Sequence, residues 1–366
     1  MPLPETARYL NALGAAVLFG IGAPVAKLFL GESGIGPAAL AGLFYVGSGF
    51  GLLLYLIMGR MAGRRRAHAE ASLRPADLPW VAGVVLFGGF LAPLTLMFAL
   101  ESTPAATAAL LLNFEAVATA VLAALIFGEA VGRRTWTALG LITGSCLLLS
   151  WGTGGFGGIS IGALGILLAC TFWGLDNNVS RNVSARDPVV TVMIKGLCAG
   201  ALSLFVALLL AEPLPAPSLT LAAMTVGFTS YGGLTSILFL LSLRDVGTAR
   251  TGSILAIAPF FGVAVSFALF AAPPDPAFYL ALPVMAAGAY LLVTERHGHP
   301  HRHLQIVHEH RHRHDDLHHD AHPHPLGTPL VGRNGFHSHP HAHEEVFHDH
   351  PHVPDIHHRH PHEPGR

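Results

Sequence analysis

Apolar residues along this chain come in long unbroken runs, without the polar stripes at 3.6-residue spacing that a soluble helical bundle requires. A bilayer core about 30 Å thick takes about 20 apolar residues at 1.5 Å rise each. Runs of that length lie at roughly 9–30, 37–58, 79–100, 105–127, 133–151, 159–181, 188–210, 218–242, 248–270 and 276–293. They predict an all-α polytopic membrane protein with ten transmembrane helices. Breakers separate the runs: Gly31 to Pro37, Ser102 to Pro104, Gly152–Gly158, Glu212–Pro217 and Pro273–Pro276. The first run, about 22 residues after Arg8 with further runs behind it, reads as a span and not as a cleaved leader.

Charge tests the count. With the N-terminus placed inside, one alternate set of connectors and adjoining span ends holds Arg60, Arg64, Arg65, Arg66, Arg74, Arg133, Arg134, Arg181, Arg186, Arg244 and Arg250. The opposite set (31–36, 101–104, 152–158, 211–217, 271–275) has no Lys or Arg and offers only Glu32, Glu101, Glu212 and Asp275. Positive residues stay on the cytoplasmic side, so both termini are expected there.

Composition divides the chain near Glu295. Only 12% of residues are charged, half the usual share, and residues 1–294 hold twelve Asp and Glu while the last 72 hold ten. The formal net charge of −1 gives no basic field for nucleic acid. Cys146, Cys170 and Cys198 lie in apolar runs without metal or disulfide spacing, and read as small buried hydrophobes.

Residues 297–362 contain 23 of the 24 histidines, many as His-x-His: His297, His299, His301, His303; His308, His310, His312, His314; His337, His339, His341, His343. Neutral imidazole suits zinc, nickel and copper. With few apolar residues, segment 295–366 is expected to be disordered without a ligand. Metal buffering or sensing, a charge switch through imidazole titration, and an inert extension all fit this pattern. His308-Glu309-His310-Arg311-His312 matches the metalloprotease pattern, but that chemistry needs a helix in a formed cleft, and no enzymatic activity is expected.

Two five-span halves, 9–151 and 159–293, share motifs. Phe19-Gly20 parallels Trp173-Gly174, Pro37 and Pro188 each open the next span, and Leu112–Ala116 sits where Ile257-Ala258-Pro259 sits. Five spans per half make the halves inverted repeats, which place a solute site at their interface. With Phe19-Gly20, Pro24 and Gly128-Glu129, the first half resembles EamA-type members of the drug/metabolite transporter superfamily. That family carries a Leu-Glu-Pro-like element in the fourth span; Phe114-Glu115-Ala116 keeps its Glu and loses its Pro. Trp173-Gly174-Leu175-Asp176-Asn177-Asn178 through Arg181, Lys195-Gly196 and Ala249–Leu255 look like one bacterial subgroup. The resemblance covers 9–293. It implies an inner-membrane solute exporter or importer driven by an ion or solute gradient, and leaves the solute unnamed.

Ionisable side chains at membrane depth are costly and face the bundle interior with partners. Glu115 is the deepest: a proton or cation site, or a carboxylic acid bonded to a neighbouring helix, with Asn113 beside it. Asp176 and Lys195 sit at similar depth on consecutive antiparallel spans, which invites an ion pair, either a staple or a gate and solute-binding pair. Asn178 and Arg181 share a helical face and Asn177 is offset, suggesting a water-filled path. Lys27 and Arg250, near span ends, read as snorkelling. Tyr231 either bonds solute or packs a helix, and Pro24, Pro93, Pro259 and Pro283 fall within spans.

The combined expectation is a secondary permease for a small metabolite, with a path lined by Glu115, Asp176, Asn177, Asn178, Lys195 and Asn113. It needs a bilayer, a small-molecule solute and no resident cofactor; zinc, nickel or another transition metal belongs to the tail. A coupling ion and a homodimer are compatible with it. Two alternatives remain open: a Zn, Ni or Co transporter, although no span contains His, and a membrane-anchored metal sensor or store without transport.

Overall fold

The computed structural model describes residues 5–32, 34–62, 71–127, 131–151, 160–184, 186–213, 215–246, 251, 254–270 and 275–294, and in the tail 298–303, 306–312, 337–343 and 346–351. The body is built of helices. In chain order they are α1 (Glu5–Gly20), α2 (Gly22–Glu32), α3 (Pro37–Met61), α4 (Leu78–Val84), a π-helical turn (Val85–Leu91), α5 (Ala92–Ser102), α6 (Ala105–Leu111) and α7 (Phe114–Phe127). The second half contributes α8 (Arg133–Ser150), α9 (Ile161–Ser180), α10 (Pro188–Leu209), α11 (Pro217–Ser230), α12 (Gly233–Val246), α13 (Ala258–Leu269) and α14 (Pro276–Val293).

Helix starts follow the sequence directly. Pro37, Pro188, Pro217 and Pro276 occupy first-turn positions, where a missing N–H costs nothing and φ is already helical. Asp187, Asp275 and Ser160 cap the free N–H groups behind them.

The described part of each of the ten apolar intervals falls mainly on a helix or a broken pair of helices. Among the described residues, seven helical stretches are long and apolar enough to cross a membrane, and α13 is a shorter apolar helix. The stretches outside that group are α8, whose first turn carries Arg133 and Arg134, and α9, which carries Asp176, Asn177 and Asn178.

Several expected continuous spans are interrupted. α1 gives way to α2 at Ile21, α6 to α7 across Leu112 and Asn113, and α11 to α12 across Tyr231 and Gly232, where φ of +151° requires glycine. Pro93 and Pro259 lie in the first turn of a helix that resumes after a break or π turn, and Pro24 lies close behind the break at Ile21. Only Pro283 interrupts a helix from inside among the described spans. Proline removes one donor, so the helix register is re-set just ahead of it.

The two halves interlock through their matching elements. Gly20 meets the Ala258 backbone at the start of α13, and Gly174 meets the Ala118 backbone in α7. The first helix of each half thus packs on the fourth of the other. Between them α3 crosses α10, where Gly49 and Gly196 let the backbones touch; a Cβ at Gly196 would lie 2.6 Å from the Gly49 nitrogen. Small residues at such crossings are what lipid-embedded helices need for close packing.

Polar contacts mark two ends of the bundle. At one, Asp77 pairs with Arg186 at 2.8 Å, the Asp187 N–H donates to the Ala71 carbonyl, and Arg134 donates to Thr294. At the other, the Glu212 carboxylate accepts from the Ala38 and Ala39 N–H groups at the start of α3, at 3.1 and 2.7 Å. There too Lys27 donates to the Leu100 and Glu101 carbonyls at the end of α5, so it closes a helix C-terminus as well as reaching an interface. Arg64, Arg65, Arg66 and Arg250 lie outside the described residues.

One expectation is corrected. Cys146 and Cys170 are buried, but Cys198 is exposed on α10. In the tail the backbone forms strands β1 (Gly298–His303), β2 (Ile306–His312), β3 (His337–His343) and β4 (Val346–Pro351). β1 pairs antiparallel with β4, and β2 with β3. The physical reason is the His-x-His alternation, whose period of two matches the pleat of a strand.

Candidate functional site

A cavity of about 240 Å³ opens where the two halves meet. From the first half it takes Phe19, Gly22, Tyr45, Ser48, Leu112 and Glu115; from the second, Trp173, Asp176, Asn177, Lys195, Ser230 and Tyr231. Gly22, Leu112 and Tyr231 sit at or beside the three helix breaks. Irregular backbone is tolerated at membrane depth where it lines a cavity, and discontinuous helices commonly build transporter sites.

Asp176 and Lys195, expected to face each other across consecutive helices, lie with Oδ2 and Nζ 2.6 Å apart. The Ser180 hydroxyl donates to the other Asp176 oxygen at 3.3 Å. Both side chains are mostly buried, and each leaves an edge in the cavity.

The pair is wedged against the π turn. Pro93 has no N–H to give five residues back, where the Ala92 N–H bonds the Phe87 carbonyl in π register. The next carbonyl, that of Gly88, instead accepts the Tyr45 hydroxyl at 2.9 Å and the Trp173 indole N–H at 3.2 Å. A proline on the third expected span thus orients two aromatic side chains from two other elements.

Glu115 opens α7 beside the break. Its Oε1 accepts from the Asn177 amide at 2.9 Å, and that same amide donates to the Thr119 hydroxyl at 3.0 Å. The cavity therefore gathers two carboxylates and one ammonium, of which Asp176 and Lys195 neutralise each other. Glu115 has the Asn177 amide as its hydrogen-bond donor, and among the described residues no cation stands at ion-pair distance from it.

The other expected residues are placed differently. Asn178 is buried away from the cavity, donating to the Thr119 and Gly174 carbonyls at 3.1 and 2.8 Å, while its own Oδ1 has no partner among the described residues. Asn113 is likewise buried, and its amide donates to the Leu110 carbonyl at 3.1 Å, closing the end of α6. The polar face of α9 is set by Asp176 and Asn177, one step round the helix from the face shared by Asn178 and Arg181. Gly128 and Glu129 lie outside the described residues.

Tyr45, Ser48, Ser230, Thr235 and Ser236 also line the cavity and were not singled out from the sequence. Single Ser, Thr and Tyr residues in apolar runs carry no spacing signal. Tyr231 lines it too: its ring lies tilted against Phe44 with centroids 4.5 Å apart, and its buried hydroxyl has no hydrogen-bond partner among the described residues.

No three His, Cys, Asp or Glu side chains converge as metal ligands among the described body residues. Of the tail histidines, His299, His301, His303, His308, His310, His312, His337, His339, His341 and His343 lie on strands, while His297 and His314 lie outside the described residues.

Comparison with known proteins agrees with the two-half organisation. The model of the EamA-like transporter family matches twice, over residues 7–151 and 160–294. A protein of Methanothermobacter thermautotrophicus, named only as an uncharacterized transporter, is 25% identical over 299 residues, covering 78% of this chain and 85% of its own. A solved crystal structure superposes with a TM-score of 0.55 at 21% identity, covering 78% of this chain and 95% of the other, a likeness of fold.

Proposed function

Because this chain belongs to the EamA-like transporter family of the drug/metabolite transporter superfamily, a family of multi-pass membrane permeases, we propose that it is a secondary permease moving a small metabolite through the central cavity. In this reading ten spans form two inverted five-helix repeats in a bacterial inner membrane, with both termini cytoplasmic. Access alternates as the halves rock about the α3–α10 crossing. Glu115 loads and releases a proton or competes for a cationic group of the solute. The Asp176–Lys195 pair either opens to solute or holds the floor of the path.

The observation that carries this reading is the convergence, at the seam of two repeats, of Glu115, Asp176 and Lys195 on one cavity bordered by three helix breaks. The sorting of arginine-bearing connectors supports the orientation. Metal as cargo through the body has no such support, since no ligand set converges there among the described residues. The tail is read as a cytoplasmic element that binds transition-metal ions and reports or buffers them.

Proteoliposome uptake tests the proposal. Purified protein should accumulate a small organic solute under an imposed proton gradient, and Glu115→Gln should lower that uptake by about 10- to 100-fold. Uptake identical in the variant would remove Glu115 from the mechanism. Zinc-driven uptake that disappears on deleting 295–366 would replace an organic cargo by a metal.

A further inference from the structure

The backbone register of the tail assigns partners that the His-x-His spacing alone does not. Across β1 and β4, His299 faces His350 and His301 faces His348. Across β2 and β3, His308 faces His341, His310 faces His339 and His312 faces His337. The two pairings share one register: His303 faces Val346, Ile306 faces His343, and two residues are passed over on each side between them.

Directly opposed residues on antiparallel strands have Cβ atoms about 4.5–5.5 Å apart. Residues two apart on one strand share a face at about 6.8 Å. Two adjacent facing pairs therefore put four histidine positions at the corners of a small rectangle. Zinc takes four nitrogen or sulfur ligands in a closed tetrahedral site.

We propose that the tail binds divalent transition-metal ions, zinc in particular, at two histidine quartets defined by strand register. One is His299, His301, His348 and His350. The other comprises two adjacent pairs among His308–His341, His310–His339 and His312–His337. This rests on the reading of the tail as a metal-binding element and refines it: the ribbon supplies fixed sites, in place of a flexible chain that recruits whichever histidines are free. It also brings in His348 and His350, which lie outside the three regular His-x-His series.

The discriminating experiment holds the histidine count constant. In full-length protein in detergent, zinc stoichiometry is measured by titration against a competing chelator for the wild type, H308A/H341A and H308A/H339A. H308A/H341A removes one facing pair and leaves the adjacent pairs His310–His339 and His312–His337, so two tight ions per chain are expected, as in the wild type. H308A/H339A removes two residues that do not face each other, leaves one complete pair in that group, and should hold one tight ion.

Both variants exchange two histidines for alanine, one on β2 and one on β3, so a general weakening of the strands lowers both alike. Equal stoichiometry and affinity in the two variants would overturn the register-defined sites while leaving a metal-binding tail. A wild type without any tight zinc would overturn the metal-binding reading itself, and uptake by the membrane body would be untouched by that result.

Discussion

Gly88 lies so close to Asp176 that a side chain at position 88 would occupy the space of the Asp176 carboxylate, and a Cβ there would stand 2.5 Å from the Lys195 Nζ. The ion pair at the centre of the candidate site is thus built against bare backbone. That backbone is the π turn whose Gly88 carbonyl holds Tyr45 and Trp173.

Gly88→Ala should therefore behave opposite to the usual helix rule. Alanine in a helix interior is ordinarily better than glycine by about 0.5–1 kcal/mol. Here the added methyl displaces the carboxylate, parts it from Lys195 and shifts the turn. A lower thermal midpoint in detergent and a strongly reduced uptake rate are expected. A Gly88→Ala variant as stable and active as the wild type would show that the pair tolerates displacement.

The sequence made the ion pair legible because opposite charges at matching depth on antiparallel spans have few other places to go. It also marked Glu115 as costly at membrane depth, and the repeats through Phe19-Gly20 and Trp173-Gly174. It did not reveal which asparagine faces the cavity. Asn177 and Asn178 are neighbours about 100° apart round the helix, and their orientation is decided by where α9 meets Thr119 and Gly174. Nor did it reveal the helix breaks, since Pro24, Pro93 and Pro259 are compatible with kinks as well as breaks.

Asp176→Asn and Lys195→Met separate a staple from a working pair. Removing one partner leaves the other charge buried, at a cost of about 3–5 kcal/mol, whereas replacing both by neutral groups is often close to neutral. Each single variant should unfold at lower temperature, and the double variant should recover most of the loss. If the pair is only a staple, uptake recovers along with stability. A stable double variant without uptake would assign the charges to the transport cycle.

Glu115→Gln keeps the size of the side chain and an oxygen for the Asn177 amide. Insertion and thermal stability should be unchanged. A charge-assisted hydrogen bond is worth about 1.5–3 kcal/mol, so uptake should fall by about 10- to 100-fold if solute or proton engages the carboxylate. The dependence of uptake on external pH should flatten at the same time. A rate that falls while keeping the wild-type pH profile would make Glu115 a binding group without a role in coupling.

Two tyrosines in the same cavity should respond to loss of their hydroxyls with opposite signs. Tyr45 gives its hydroxyl to the Gly88 carbonyl, so Tyr45→Phe leaves that carbonyl with the Trp173 indole alone. A loss of about 0.5–1.5 kcal/mol and a lower thermal midpoint follow. The Tyr231 hydroxyl is buried with no partner among the described residues, so its desolvation is not compensated in the empty protein. Removing it in Tyr231→Phe should leave stability equal or higher, by up to about 1–3 kcal/mol. If the hydroxyl is held free for solute, the same variant binds and transports more weakly in spite of its stability. Thermal unfolding and uptake measured on both variants check the pair of signs. A Tyr231→Phe protein that is destabilised would mean that the hydroxyl is satisfied in the membrane, by water or lipid, and is not waiting for cargo.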